Sequence, residues 1–194
     1  MSQLSTQPSL TDRMIRASRL DVALYNEVEA DLSATTQALT VVVITAIASG
    51  IGAFLGLLLA GRPGPAVVAL VGGIVAQLVG WAVWSWIMYF VGTRLFHGTA
   101  TWGELLRTLG FAYSPGVLLV LRFIPVLGGL IALVVLIWRL IASFIAIREA
   151  LDLDTGNTVA TVIVGFIAYI VVGAIVTGIL FALGLGANLA AGVI

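Results

Sequence analysis

Arg139 is the residue whose position asks most of its chemistry. It follows Trp138 directly, inside an apolar run that extends from Val126 to Ile147. A guanidinium in hydrocarbon is costly unless something receives it. The other polar side chains in apolar surroundings are few: Gln77, Ser85, Ser143 and Tyr169. Proton-coupled transport usually leaves Asp, Glu or His inside the spans, and these runs contain none. Serine nucleophiles need a base within reach, yet the single histidine, His97, falls in a loop. There is no HExxH, no phosphate loop and no buried pair of acids. One histidine and no cysteine cannot assemble a histidine or thiolate metal site. The expectation is a non-enzyme with no cofactor, no metal and no catalytic residue.

Ile47-Ala48-Ser49-Gly50 resembles the serine motif of intramembrane rhomboid proteases but lacks its leading glycine. Pro115 offers a more physical role for Arg139. Proline has no N–H, so the carbonyl of Phe111 loses its helical donor. Phe111 lies six residues from Leu105, or roughly 9 Å at helical rise. Arg139 lies eight residues from Ile147, or roughly 12 Å. The freed carbonyl and the guanidinium are therefore expected at one depth. Arg139 either donates to this broken turn, with help from the hydroxyls of Tyr113 or Ser114, or extends to the headgroups as long cationic side chains do.

The elements that must hold these residues are membrane spans. Of the 194 residues, 61% are hydrophobic and 9% charged, where a soluble domain needs about 25% charged. Five apolar runs read as transmembrane helices: 36–60, 66–91, 105–121, 126–147 and 159–183. Gly61-Arg62-Pro63-Gly64-Pro65 separates the first two, and Arg122 with Pro125 forms the turn before the fourth. Gly52-x-x-x-Gly56 allows close approach of another helix. Gly184 and Gly186 are expected to end the fifth span.

Ahead of the spans, residues 1–9 are expected to be disordered. Residues 10–34 read as an amphipathic interfacial helix, with Leu24, Val28 and Leu32 at i+4 spacing. It lies either on the membrane surface or against the protein's own face. Residues 35–194 then form the five-helix transmembrane domain. The fold class is an all-α polytopic membrane helix bundle.

Arginine placement orients it. With the N-terminus inside, the inner segments carry Arg13, Arg16, Arg19, Arg94, Arg107 and Arg148, and the outer ones only Arg62 and Arg122. Six against two predicts a cytoplasmic N-terminus and an external C-terminus. Net charge is zero, with no lysine, so nucleic acid is not an expected partner.

The segments GFAYSPG, IPVLGG, the Ile137-Trp138 pair and AIREALDLDTGNTVATVIVG together resemble the Yip family, five-span proteins named for interaction with Ypt/Rab GTPases. The likeness covers residues 10–180 and is strongest over 107–165. Gly110, Tyr113 and Pro115 look like the family's glycine-tyrosine-proline element in its third span. The resemblance implies a cytoplasmic N-terminus and an external C-terminus, the orientation that the arginines indicate independently. Eukaryotic members carry Asp-Leu-Tyr-Gly-Pro before the first span, whereas this chain reads LDVALYNEVEADLSATTQAL. A Rab-type GTPase is accordingly not an expected partner. The all-arginine basicity points to the bacterial branch and a bacterial cytoplasmic membrane.

The functional expectation is a non-catalytic membrane protein acting through helix–helix and lipid contacts, in a role like membrane organisation or trafficking. Its partners would be membrane lipids and other integral membrane proteins, or further copies of itself. An accessory subunit of an energy-transducing or transport assembly is one alternative; a small transporter or channel using Arg139 is another. Arg139, Trp138, Gly110, Tyr113, Pro115 and Pro125 are the residues expected to matter for structure or interaction.

Overall fold

A computed structural model describes residues 8–182. The tail over residues 1–7 and the expected end of the fifth span at Gly184 and Gly186 lie outside the described residues. Among those residues there is no strand, and the order is α1 (Leu10–Ser18), α2 (Val22–Ala30), α3 (Ala34–Leu59), α4 (Pro63–Leu95), α5 (Trp102–Ala112), a 3-10 segment (Ser114–Phe123), α6 (Leu127–Leu151) and α7 (Thr155–Ala182).

Four helices, α3, α4, α6 and α7, are long and apolar enough to cross a membrane. The count reaches five when α5 and the 3-10 segment, bent by 44° at their junction, are taken as one broken span. The reason for the break is Pro115. Beyond it the backbone bonds are i→i−3, as in Gly116 N–H to the Tyr113 carbonyl at 2.8 Å. A 3-10 segment rises about 2 Å per residue against about 1.5 Å in an α-helix. The segment therefore lengthens a span that looked short when read as 105–121.

The expected single helix over 10–34 is corrected to two. Leu20 takes a left-handed conformation, φ 61°, and ends α1 without a glycine or proline to mark the place. Asp21 then caps α2, its carboxylate accepting the Ala23 N–H at 3.0 Å. α7 likewise begins earlier than expected, because the Asp154 carboxylate accepts the N–H groups of Gly156 and Asn157. At α5 the hydroxyl of Thr101 and the carboxylate of Glu104 form a reciprocal capping box.

α3 is the central span. Gly52 faces the 3-10 segment so closely that a Cβ there would lie 2.2 Å from the Leu119 carbonyl oxygen. A Cβ on Gly110 of α5 would meet the Ala38 Cβ of α3 at 2.7 Å. The Gly52-x-x-x-Gly56 stripe is thus occupied within the chain, by Leu119, Arg122 and Phe123.

Burial is uneven. One buried cluster joins Tyr25, Trp81, Met88, Leu109, Ala146 and Leu151. A second joins Ala17, Leu24, Val28, Ala38 and Phe111. Both lie at the end of the bundle that α1 and α2 cover, the capped face. Towards the opposite, open face the helices are more exposed. On α7 every residue from 169 to 179 is exposed, and the first half of α4 is mostly so.

Candidate functional site: a cationic cavity beneath a latched cap

The capped face is held by arginines. Arg13 is 2% exposed and reaches three partners far along the chain. Its Nη2 lies 2.9 Å from Glu27 Oε1 and 2.8 Å from Asp31 Oδ2, and its Nη1 donates to Gln37 Oε1 at 3.0 Å. Arg16 holds Asp21 and Glu27 at 2.8 and 2.7 Å. The hydrogen bond from Arg16 keeps the Asp21 carboxyl below its ordinary range. Burial pushes Glu27 up, but Arg16 and Arg13 outweigh it and the net shift is down.

Arg107 of α5, 3% exposed, caps the other end of α2. Its Nε donates to the Val28 carbonyl at 2.9 Å, and its Nη2 also reaches the Glu29 carbonyl. A cation at a helix C-terminus is favourable both to the orphan carbonyls and to the helix dipole. Beside it, burial and the charges of Asp152 and Glu104 push the Glu29 carboxyl up to about 7, opposed by Arg107. A latch from α6 completes the cap: Trp138 donates its indole N–H to the Ser18 carbonyl at 2.8 Å.

Arg139 faces away from this cap. Its Cζ lies 3.7 Å from the centroid of the Tyr113 ring, so the guanidinium lies on the π face of the residue that joins α5 to the 3-10 segment. The expected donation from Arg139 to the Phe111 carbonyl is corrected: Ser114 Oγ takes that carbonyl at 2.7 Å. A hydroxyl three residues on can fold back over the turn that Pro115 disrupts, so no remote donor is needed. Arg139 still turns towards the third span and not away from it. Tyr113 joins the two residues, by its ring where the expectation had only its hydroxyl.

Arg139 opens into a cavity of about 730 Å³ between α4, the 3-10 segment, α6 and α7. Arg122, Gln77, Ser143 and Tyr169 also line it, and Trp84, Leu136 and Phe166 form apolar wall. Gln77 is fixed by donating to Thr45 Oγ1 at 2.9 Å and to the Val42 carbonyl at 3.2 Å. Tyr169 and Trp84 pack edge to face at 5.6 Å. Gly116 leaves room behind Arg139: a Cβ there would crowd Thr45 at 3.3 Å and stand 3.8 Å from Arg139 Nη1.

The residues singled out by sequence therefore divide. Arg139, Tyr113 and, through the broken turn, Pro115 belong to the cavity. Trp138 belongs to the cap, Gly110 to the α3–α5 contact and Pro125 to the tight turn before α6. Sequence reasoning did not assign Arg13 and Arg107 their buried roles, nor Arg122 its place at the cavity. Among the described residues no three His, Asp or Glu side chains converge as a metal site requires.

A family model, described as the Yip1 domain, matches residues 23–187. No curated protein and no solved structure matches the chain.

Proposed function

The chain belongs to the Yip1-domain family, and we propose that it is a non-catalytic membrane organiser that works through lateral contacts with lipid and with other membrane helices. The observation that carries this reading is α7. Its residues from 169 to 179 are exposed on every side, yet they are almost wholly apolar, including Ile170, Val171, Ile175, Val176 and Ile179. Such a helix is covered by lipid tails or by a neighbouring protein. The first half of α4 offers a second bare surface, with Val67, Val71 and Val75 more than half exposed.

The capped face lies in the cytoplasm on this reading. The support is the arginine distribution, with Arg13, Arg16, Arg19, Arg94, Arg107 and Arg148 on that side. The membrane is then the bacterial cytoplasmic membrane, with the C-terminus external.

The bare α7 also favours a second reading, an accessory subunit whose α7 docks on a larger assembly. Extraction of native membranes in mild detergent separates the two. Native electrophoresis with mass spectrometry is expected to show the chain alone or as a small homo-oligomer. Co-migration with a defined assembly at fixed stoichiometry makes it a subunit instead.

A further inference from the structure

We propose that the cavity between α4, the 3-10 segment, α6 and α7 holds an anionic phospholipid, its phosphate on Arg139 and its acyl chains between α6 and α7. This rests on the lipid-contact reading and makes one part of it specific.

Charge is the first argument. Both ionised side chains lining the cavity, Arg122 and Arg139, are cations, and no carboxylate lines it. Nor does any Asp or Glu stand within the spans to move in. All nine acidic residues lie at positions 12–31, at 104 and at 149–154, on the N-terminal helices or at the capped ends of the spans. A guanidinium among apolar helices needs an anion or strong dipoles. The bilayer itself supplies such an anion, the phosphate of a lipid headgroup.

Geometry is the second. A guanidinium stacked on an aromatic ring engages through its face, whereas its N–H donors lie in its plane. The contact with Tyr113, 3.7 Å from Cζ to the ring centroid, holds the Arg139 guanidinium at the cavity wall, where its fork of N–H donors suits a phosphate. The hydroxyls of Ser143 and Tyr169 line the same space as further donors.

Shape is the third. The cavity is wide enough for a headgroup and is walled by Leu136, Leu140 and Phe166. Beyond it α7 is bare, every residue from 169 to 179 being exposed. Polar groups set among apolar walls, next to a helix that is exposed and apolar, match a lipid with its headgroup on the arginine and its chains along the bare helix. An apolar transmembrane helix against α7 would cover that surface but leave the arginine unanswered.

The test uses the fluorescence of Trp84 in the cavity wall, isolated as the difference between the full chain and its Trp84→Phe variant. Nanodiscs hold an equal mixture of phosphatidylglycerol and phosphatidylcholine, with brominated chains on one lipid or the other. Quenching by brominated phosphatidylglycerol is expected to exceed that by brominated phosphatidylcholine, with an apparent affinity about tenfold higher. Arg139→Gln should abolish the difference. Gly80→Leu should abolish it too, by filling the cavity with Arg139 intact, since a Cβ there meets only Tyr169 Oη at 3.5 Å. It carries the test if Arg139→Gln does not fold. Equal quenching by the two lipids in the wild type overturns the anion site but leaves the lipid-contact reading standing. No quenching by either overturns both. Relief of the quenching by inorganic phosphate at constant ionic strength overturns the lipid and assigns the site to a soluble anion.

Discussion

The indole N–H of Trp138 donates to the carbonyl of Ser18 at 2.8 Å, joining the last turn of α1 to the middle of α6. Its consequence is mechanical. α1 is nine residues long, too short to hold itself in water, and relies on what it touches. Trp138→Phe keeps an aromatic ring, though a smaller one, and deletes the donor, at an expected ~1 kcal/mol for the lost hydrogen bond. Hydrogen exchange should accelerate about fivefold at the amides of α1, with α6 unchanged. Unchanged α1 protection would show that the Arg13 and Arg16 ion pairs and the burial of Ala17 hold the helix without the latch.

Glu29 makes docking of α2 depend on pH. Burial, Asp152 and Glu104 raise its carboxyl from 4.5 to about 7, with Glu149 adding to the repulsion and Arg107 opposing it. A raised folded-state value means that the docked helix binds the proton more tightly than the free one. The stabilisation is fully present below 4.5 and is lost as pH rises through about 7. Asp21, Glu27 and Asp31 are shifted down, so their contributions are present throughout that window. Protease sensitivity of the α2–α3 joint should therefore rise on going from about pH 5 to about pH 8, the interval that brackets the Glu29 transition. Glu29→Gln should flatten the profile at its low-pH level. A wild-type profile that is already flat refutes the coupling.

Arg107→Leu tests the same joint from the other side. It leaves the Val28 and Glu29 carbonyls without their cation and removes the charge that opposes the raised Glu29. The expected loss is about 2–3 kcal/mol, within the range for a hydrogen bond to a charged group left unmade. Thermal unfolding in detergent reads it. Arg107→Lys should recover only part, because a lysine cannot reproduce the planar donor fork. Equal stability of all three proteins would remove Arg107 from the cap.

What the sequence shows of this molecule follows from the range of the interactions. Apolar runs, Pro115 and the Gly61–Pro65 turn act locally, and they mark the spans to within a few residues. The Asp21 and Asp154 caps and the Thr101–Glu104 box are local as well, and their residue types and spacing are visible to a reader who looks for them. The break at Leu20 is not visible, because a leucine with φ 61° is held there by packing and not by its own preference. Arg13 stands in a charged stretch that reads as solvated, and only partners 14, 18 and 24 residues away bury it. Arg139 was legible as a guanidinium in need of a receiver. That the Ser114 hydroxyl would serve Phe111 and leave Arg139 to the Tyr113 ring depends on rotamers that spacing does not encode.

Val126 carries strain that a single substitution should release. It sits at φ 66° and ψ −54°, with Leu127 N–H donating to the Pro125 carbonyl at 2.7 Å, a γ-turn of the disfavoured hand. A β-branched residue is a poor occupant of that region. Its side chain offers little in return, being 94% exposed. Val126→Gly should stabilise the protein by about 1 kcal/mol, the relieved strain exceeding the entropy that glycine loses on folding. A lower melting temperature in the variant would mean that the Val126 side chain is covered in the membrane.

The absence of cysteine makes the orientation directly testable. Thr11 is exposed on the capped face, and Gly64 is exposed in the turn that opens α4 on the other side. Thr11→Cys and Gly64→Cys therefore each place one thiol on a background with no other. In intact cells an impermeant maleimide should label the Gly64 thiol and spare the Thr11 thiol. Permeabilised cells should label both. The reverse pattern would put the α1–α2 cap outside, and with it the six arginines that carry the positive-inside argument. The cap's ion pairs would then meet the external pH and salt, so the Glu29 transition would become a response to the medium.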